Sequence, residues 1–459
     1  MKIPITATLL AGLAWLLPLS ATAQDTIDIG SRLEPLVDDF LIQRLDGDAK
    51  LQLNKPQARE VVLVTGEPWE GNTCAYYTIF QDGDRYRMYY RGSHYDTATG
   101  KATHPEVTCY AESRDGIQWE KPELGLCEFQ GDKENNIVWN GVGTHDFTPF
   151  KDENPAAPPE ARYKALARGS GGLYAFQSPD GIRWKTMRDQ PVITKGAFDS
   201  QNLAFWDSHR KQYREYHRAF RGVRDIMTGT STDFLAWTDP EFLEYPDAPK
   251  EHLYTNAIRP YPGAEHLLIG FPTRFLPPKQ QVEPTFMSSR DGRTFHRWTE
   301  ALIPLTAPED RDGNRSNYMT WGLVQLPGSE REWSVYATEA YYTGADSRLR
   351  RFTYRIDGLV SVHAADRGEL VTRPLRFQGN RLVLNYGTAD DGQIRVEIQD
   401  QQGKAIPGFE LDRCQRLSGD AIAQEVTWRG GADVSGLSGR PIVLRFDMQN
   451  ADLYTIRFR

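Results

Sequence analysis

Four segments of this chain share one short pattern, and its recurrence constrains the fold more than any other feature. They are Ser113-Arg114-Asp115-Gly116-Ile117-Gln118-Trp119, Ser178-Pro179-Asp180-Gly181-Ile182-Arg183-Trp184, Ser231-Thr232-Asp233-Phe234-Leu235-Ala236-Trp237 and Ser289-Arg290-Asp291-Gly292-Arg293-Thr294-Phe295. They begin 65, 53 and 58 residues apart. Periods of this size mean supersecondary units stacked side by side. An Asp-Gly pair makes a tight turn, because Gly accepts positive φ and the Asp side chain bonds nearby backbone. The Trp or Phe that follows is placed to plug the gap between adjacent sheets. Runs of strand composition lie between the turns, among them Tyr86–Tyr90, Tyr163–Ala167, Gln212–Tyr216, Leu267–Phe271 and Trp333–Ala337. Helical periodicity is scarce. Five such units between about residues 60 and 360 predict a five-bladed β-propeller of four-stranded sheets.

After Val362 the composition changes to short alternating strands punctuated by Gly403, Gly408, Gly430, Gly431 and Gly439. This predicts an all-β chain in which the propeller, over 61–365, is followed by a β-sandwich over 370–459. Residues 24–60 are expected to pack on the propeller, wrapping its first blade or helping to close the ring. Residues 1–23 read as a cleavable secretory signal peptide: Lys2, an apolar run from Ile3 to Leu19, then Ala21-Thr22-Ala23. The expectation is export to the periplasm or beyond, with no later stretch long enough to span a bilayer. The net charge of −8 and the lack of a Lys/Arg block argue against a nucleic-acid partner. Cys74, Cys109, Cys127 and Cys414 show no CxxC spacing, and the nine His residues no HExxH, so neither a metal nor another cofactor is expected. Cys74 and Cys109 could bridge neighbouring strands, with buried thiols the favoured alternative. The oligomeric state is open.

The Ser-x-Asp-Gly-x-x-Trp turns on a five-unit β repeat, with a sandwich behind it, resemble the five-bladed glycosidases. These include the invertase and levanase type and the arabinanase and xylosidase type. The chain is also similar to exported bacterial proteins known only as glycosidase-like. No counterpart of the invertase Trp-x-Asn-Asp-Pro-Asn opening is present. Arg224-Asp225 resembles that family's Arg-Asp-Pro element, with Ile226 in place of the proline. The resemblance implies glycosidic bond cleavage and leaves the sugar open.

Such cleavage needs two carboxylates, one acting as acid and the other as nucleophile or base. In a propeller the residues at the start of each inner strand converge on one pocket. Trp69-Glu70 precedes the first, with Glu70 a pocket-floor acid and Trp69 a sugar platform; a surface turn is the alternative. His145-Asp146 precedes the second. Asp199-Ser200-Gln201-Asn202 precedes the third, and four hydrogen-bonding residues there are more than a turn needs. Tyr254 and Asn256 precede the fourth, and Arg315-Ser316-Asn317 the fifth. Glu339, in an apolar and aromatic setting, is expected either to have a raised pKa, as a general acid requires, or to pair with Arg348 or Arg350.

The expectation is therefore a glycoside hydrolase removing terminal sugars from oligo- or polysaccharides. Glu70 and Asp199 would face each other across the axis, with Asp199 as nucleophile or base. Glu339 would be the acid and Asp146 a tuning or binding group. Trp69, His145, Gln201, Asn202, Arg224, Asp225, Tyr254, Asn256 and Asn317 would bind substrate. Two other readings stay open. One is a sialidase-like hydrolase or a polysaccharide lyase acting on acidic glycans through Arg91, Arg168, Arg224, Arg274 and the tyrosines. The other is a propeller that binds a glycan without cleaving it.

Overall fold

A computed structural model describes residues 26–304 and 317–459. The signal-peptide reading over 1–23, and Arg315 and Ser316, lie outside the described residues. The chain is a five-bladed β-propeller with a β-sandwich behind it. Blades one to four are antiparallel four-stranded sheets. Blade one holds Ala75–Asp82, Arg85–Gly92, Val107–Ser113 and Ile137–Trp139. Blade two holds Thr148–Lys151, Tyr163–Gly169, Gly172–Ser178 and Lys185–Thr186. Blade three holds Leu203–Asp207, Gln212–Phe220, Arg224–Ser231 and Glu241–Phe242. Blade four holds Arg259–Tyr261, Ala264–Gly270, Met287–Ser289 and His296–Arg297. A small extra sheet, formed by His252–Leu253, Thr273–Leu276 and Gln281–Pro284, accompanies blade four. In blade five, Met319 and Val324 bridge to Glu332–Glu339, which pairs with Arg348–Arg355. Its outermost strand is Gln57–Val64, from the other end of the chain. That cross-chain pairing closes the ring.

The repeated turns explain why the blades stand as they do. In each turn the Asp carboxylate accepts two backbone N–H groups, as Asp115 does from Ile117 and Gln118 at 2.8 Å. The Ser hydroxyl accepts from the residue after the Asp, as Ser113 does from Gly116 at 2.8 Å. The Trp indole donates back to that residue's carbonyl: Trp184 to Gly181 at 2.9 Å. The same carbonyl is then gripped by the preceding blade. Tyr89 donates to Gly181, Tyr216 to Gly292 and Tyr336 to Gly116, each at 2.8 Å. The third turn has Phe234 in the left-handed conformation, φ +70, where the others have Gly. The register supplies the reason. The motif serines pair with Tyr86, Tyr163 and Tyr213. Three residues further on stand Tyr89, Leu166 and Tyr216, so blade two offers no hydroxyl. Phe234 packs there instead, 5.7 Å from the Phe150 ring.

The sandwich is built on three long strands, Val360–Thr372, Leu382–Gln399 and Val443–Phe458, with Val443–Phe458 central. Its core includes Trp428, and the rings of Phe377 and Phe458 stack at 3.7 Å. The N-terminal segment, expected on the propeller, joins it only from Gln57, in the strand that closes the ring; the stretch before Gln57 takes another course. Ile42–Gly47 and Lys50–Leu53 pair with Val360–Thr372, Glu34–Pro35 with Val443–Phe458, and Ile27–Gly30 with Leu375–Phe377. It is woven into the sandwich because the edges of those long strands offer unpaired backbone groups. It meets the propeller through Arg290, which bonds Asp38 and Glu34 at 2.9–3.1 Å. All four cysteines are free thiols, and burial pushes Cys74 up to about 12.

Candidate active site at the mouth of the propeller

In each blade the inner strand runs away from one end of the axis and the second strand returns to it. Residues before the first strand, at the end of the second and before the third therefore meet at one mouth. His145 is the centre of that meeting. Its Nδ1 lies 2.9 Å from Glu106 Oε2, and its Nε2 lies 3.0 Å from Asp199 Oδ1. Carboxylates only accept, so these two contacts favour a proton on each ring nitrogen, while Arg91 Nη1, also a donor, stands 3.2 Å from Nδ1. Burial opposes that charge, yet the bonds to Asp199 and Glu106 raise the His145 pKa. The hydrogen bond from His145 holds Asp199 down at about 2, against burial and with help from Arg218. Glu106 is also lowered: burial works against its charge and is outweighed by His145 and Arg91. All three side chains reach solvent, with exposures of 32% for Glu106, 27% for His145 and 50% for Asp199.

Arginine and tyrosine frame this chain of three. Arg91 is buried, 3.5 Å from Glu106, and donates to Tyr341 Oη at 3.0 Å and to the Thr73 carbonyl at 2.8 Å. Its guanidinium also lies 4.9 Å from the Tyr76 ring centre. Arg218 stands 3.8 Å from Asp199 and 4.9 Å from the Tyr254 ring, and Arg224 covers the same ring at 5.5 Å. Tyr254, Tyr318 and Tyr341 follow edge to face, with centroids 5.8 and 5.4 Å apart. Arg91 and Arg218 thus face a carboxylate as well as an aromatic ring, while Arg224 lies over the Tyr254 and Phe275 rings.

Beneath the mouth lies a buried support. Asp146 is fully enclosed; it accepts Asn202 Nδ2 at 2.5 Å and the Arg168 backbone N–H at 2.8 Å. Burial raises its pKa to about 7. Gln201 reaches across to the Tyr76 and Tyr77 carbonyls at 3.3 and 3.2 Å, tying blade three to blade one. Asn256 is buried and donates to the Tyr216 carbonyl at 3.4 Å. Asn317 is buried as well. Of the polar run 199–202, Asp199 alone faces solvent, and the other three hold strands together.

The remaining sequence candidates stand elsewhere. Glu70 does not face Asp199. It is buried behind blade one, where it accepts from Tyr90 at 2.5 Å and from Lys121 at 2.7 Å. Trp69 is no open platform; its indole donates to Asn136 at 2.6 Å and its ring meets Phe129 edge-on. Glu339, at the end of the second strand of blade five, is buried between Arg348, at 2.6 Å, and Arg350, at 2.5 Å, both on the third. It is the ion pair, because the hairpin register sets it opposite Arg348. Asp225 pairs with Arg221 at 2.9 Å, and Arg274 with Glu251 and Glu283. Glu106 and Arg218 are mouth residues that the sequence reading did not name, and Arg91 entered it only for the reading on acidic glycans. One signal could have found the arginines. Arg91, Arg168 and Arg218 each lie two residues beyond the equivalent positions 89, 166 and 216.

No protein-family profile matches the chain. An uncharacterized protein of Mycobacterium tuberculosis, from strains CDC 1551 and H37Rv, is 28% identical over 136 residues, 29% of this chain. The match spans 41% of the length of those curated relatives. Among solved structures, the chain is similar to a β-1,2-mannobiose phosphorylase from Listeria innocua, with a TM-score of 0.48 and 12% identity over 67% of this chain and 98% of that one. It is similar to a thermostable family-43 glycoside hydrolase, with a TM-score of 0.45 and 14% identity over 66% and 95%. It is also similar to an N-acetylgalactosamine deacetylase from F. plautii, with a TM-score of 0.42 and 14% identity over 72% and 96%.

Proposed function

We propose that this protein is an exported glycoside hydrolase that cleaves acidic glycans at the propeller mouth. One observation carries the reading: two solvent-reaching carboxylates, Glu106 and Asp199, sit on opposite nitrogens of His145 between Arg91 and Arg218. The apolar leader ending in Ala21-Thr22-Ala23 supports export. Hydrolysis needs a base or nucleophile that stays ionised and a group that can release a proton. Asp199, held at about 2, suits the first role. The couple of His145 and Glu106 suits the second. Water adds to the anomeric carbon as the glycosidic C–O bond breaks. Asp199 takes the proton that water loses, and the His145–Glu106 couple protonates the departing oxygen. The 3.0 Å contact between Asp199 and His145 returns the proton and resets the site. Arg218 and Arg224, stacked on Tyr254, would grip a carboxylate or sulfate of the sugar, because a guanidinium bonds oxyanions at two points.

The arginines and tyrosines also support a second reading, a polysaccharide lyase. An arginine would neutralise a uronate carboxylate while His145 or a tyrosine moves the proton. A screen of the mature protein, from Gln24 onward, against neutral, uronate-bearing and sulfated glycans tests both readings. New reducing ends without an unsaturated product, abolished in Asp199→Asn and in Glu106→Gln, are expected. An unsaturated uronate product would install the lyase. Glycan binding with no product from any substrate would leave a sugar-binding propeller.

A further inference from the structure

The opposite end of the axis holds a cavity of about 640 Å³, lined by all five blades. This is within the size of small-molecule sites. It is separate from the mouth: Tyr76 begins the inner strand of blade one, whereas Phe80 and Gln81, near its end, line this cavity. Its walls combine aromatics, Phe80, Phe205, Trp206, Trp321 and Trp333, with polar side chains, among them the exposed Glu153 and Glu265. Arg259 also lines it. Nη1 of Arg259 donates to the Leu323 carbonyl at 2.9 Å, and Nε approaches the Pro260 carbonyl at 3.4 Å. No carboxylate among the described residues lies within 4.0 Å of it. Loss of water around the guanidinium pushes its pKa down to about 10, against the more distant charge of Glu153. The other cation on the wall, Lys151, is satisfied by Asp82 at 2.8 Å.

A partly desolvated guanidinium with no anion is unfavourable for the free protein. An anion arriving in the cavity removes that penalty, and tryptophan faces beside it can take a flat or CH-rich body. We propose that this end of the axis is a second, non-catalytic site for a small carboxylate with one apolar face, its carboxylate paired with Arg259. A uronic acid and an aromatic carboxylate share that chemistry.

The test is titration of the purified protein with glucuronate, with benzoate and with neutral glucose, followed by tryptophan fluorescence and calorimetry. Saturable binding of one acid and none of glucose is expected, and the acid that binds names the source. Arg259→Met should weaken it ~10- to 100-fold, the worth of a charge-assisted hydrogen bond. Trp206→Ala, at a partly exposed ring, should weaken it several-fold and carries the test if Arg259→Met does not fold. Arg218→Met, which disables the mouth, should leave it unchanged. Unchanged affinity in Arg259→Met, loss in Arg218→Met, or no saturable binding of either acid would overturn the proposal.

Discussion

Gly181→Ala should destabilise the propeller through a single hydroxyl on the neighbouring blade. Gly181 has φ +77, and a Cβ there would lie 2.8 Å from Tyr89 Oη and 2.7 Å from Arg87 Nη1. Arg87 Nη1 ends a long side chain and can shift, at the cost of its 2.7 Å bond to the Asp180 carbonyl. Tyr89 is fully buried, and its ring is packed against Tyr110 and Trp184. The left-handed conformation costs a non-glycine residue about 1–2 kcal/mol. Expelling the Tyr89 hydroxyl from its bond to Gly181 leaves a buried polar group unpaired, another ~1–3 kcal/mol. The single variant should therefore lose about 2–5 kcal/mol. Tyr89→Phe alone should lose about 1 kcal/mol, one net hydrogen bond. In the double variant the clash and the orphaned hydroxyl are both gone, so its loss should be about 2–3 kcal/mol. Urea unfolding followed by tryptophan fluorescence gives all three values. Two single losses that simply add, to within ~0.5 kcal/mol, would refute the stitch between blades one and two.

Two further outcomes follow from buried charge. Asp146 has a folded pKa of about 7 against an ordinary 3.8, so the folded state binds its proton more tightly. That contribution is complete below about pH 4 and is lost as pH rises through 7, an effect of about 4 kcal/mol at most. Asp146→Asn should remove this component, visible as a smaller fall in urea stability from pH 4 to 8 than in the parent. Glu339→Gln should lower stability by about 3–5 kcal/mol in thermal or urea unfolding, because it removes the one buried charge set between Arg348 and Arg350. Its glycan turnover per folded molecule should match the parent, which separates it from Asp199→Asn.

What the sequence revealed was what neighbouring residues decide among themselves. The Ser-x-Asp turns are made by hydrogen bonds within seven residues, so their spacing alone exposed the blades. Asp199, His145 and Tyr254 were legible because each stands just before an inner strand, where a propeller gathers its loops. Glu106 was not, since only the packing of blade two beside blade one brings it to His145, and nothing in Thr103-His104-Pro105-Glu106 marks it. Glu70 misled because an acid beside Trp and Gly suits a pocket floor, while the chain turns it back under Tyr90. Gln201 and Asn202 misled in the same way: polar residues on a propeller axis can serve neighbouring backbone as well as a ligand. For Glu339, two arginines across a single hairpin were the stronger sign.

The pairing of the chain's two ends fixes when this molecule can finish folding. Gln57 lies beside Thr353, and Gly47 beside Gly368. During synthesis the early strands emerge long before their partners exist, so they must wait unpaired while four blades form behind them. The ring cannot lock until Arg348–Arg355 has been made, and the early strands Ile42–Gly47 and Lys50–Leu53 have no partner before Val360–Thr372 arrives. A chain released early, even one holding every residue of the mouth, would have an open blade and a loose leading end. The clasp thus sets an order on assembly: the ring of blades closes only once residues 348–355 have been made, and the leading strands are covered only once residues 360–372 follow.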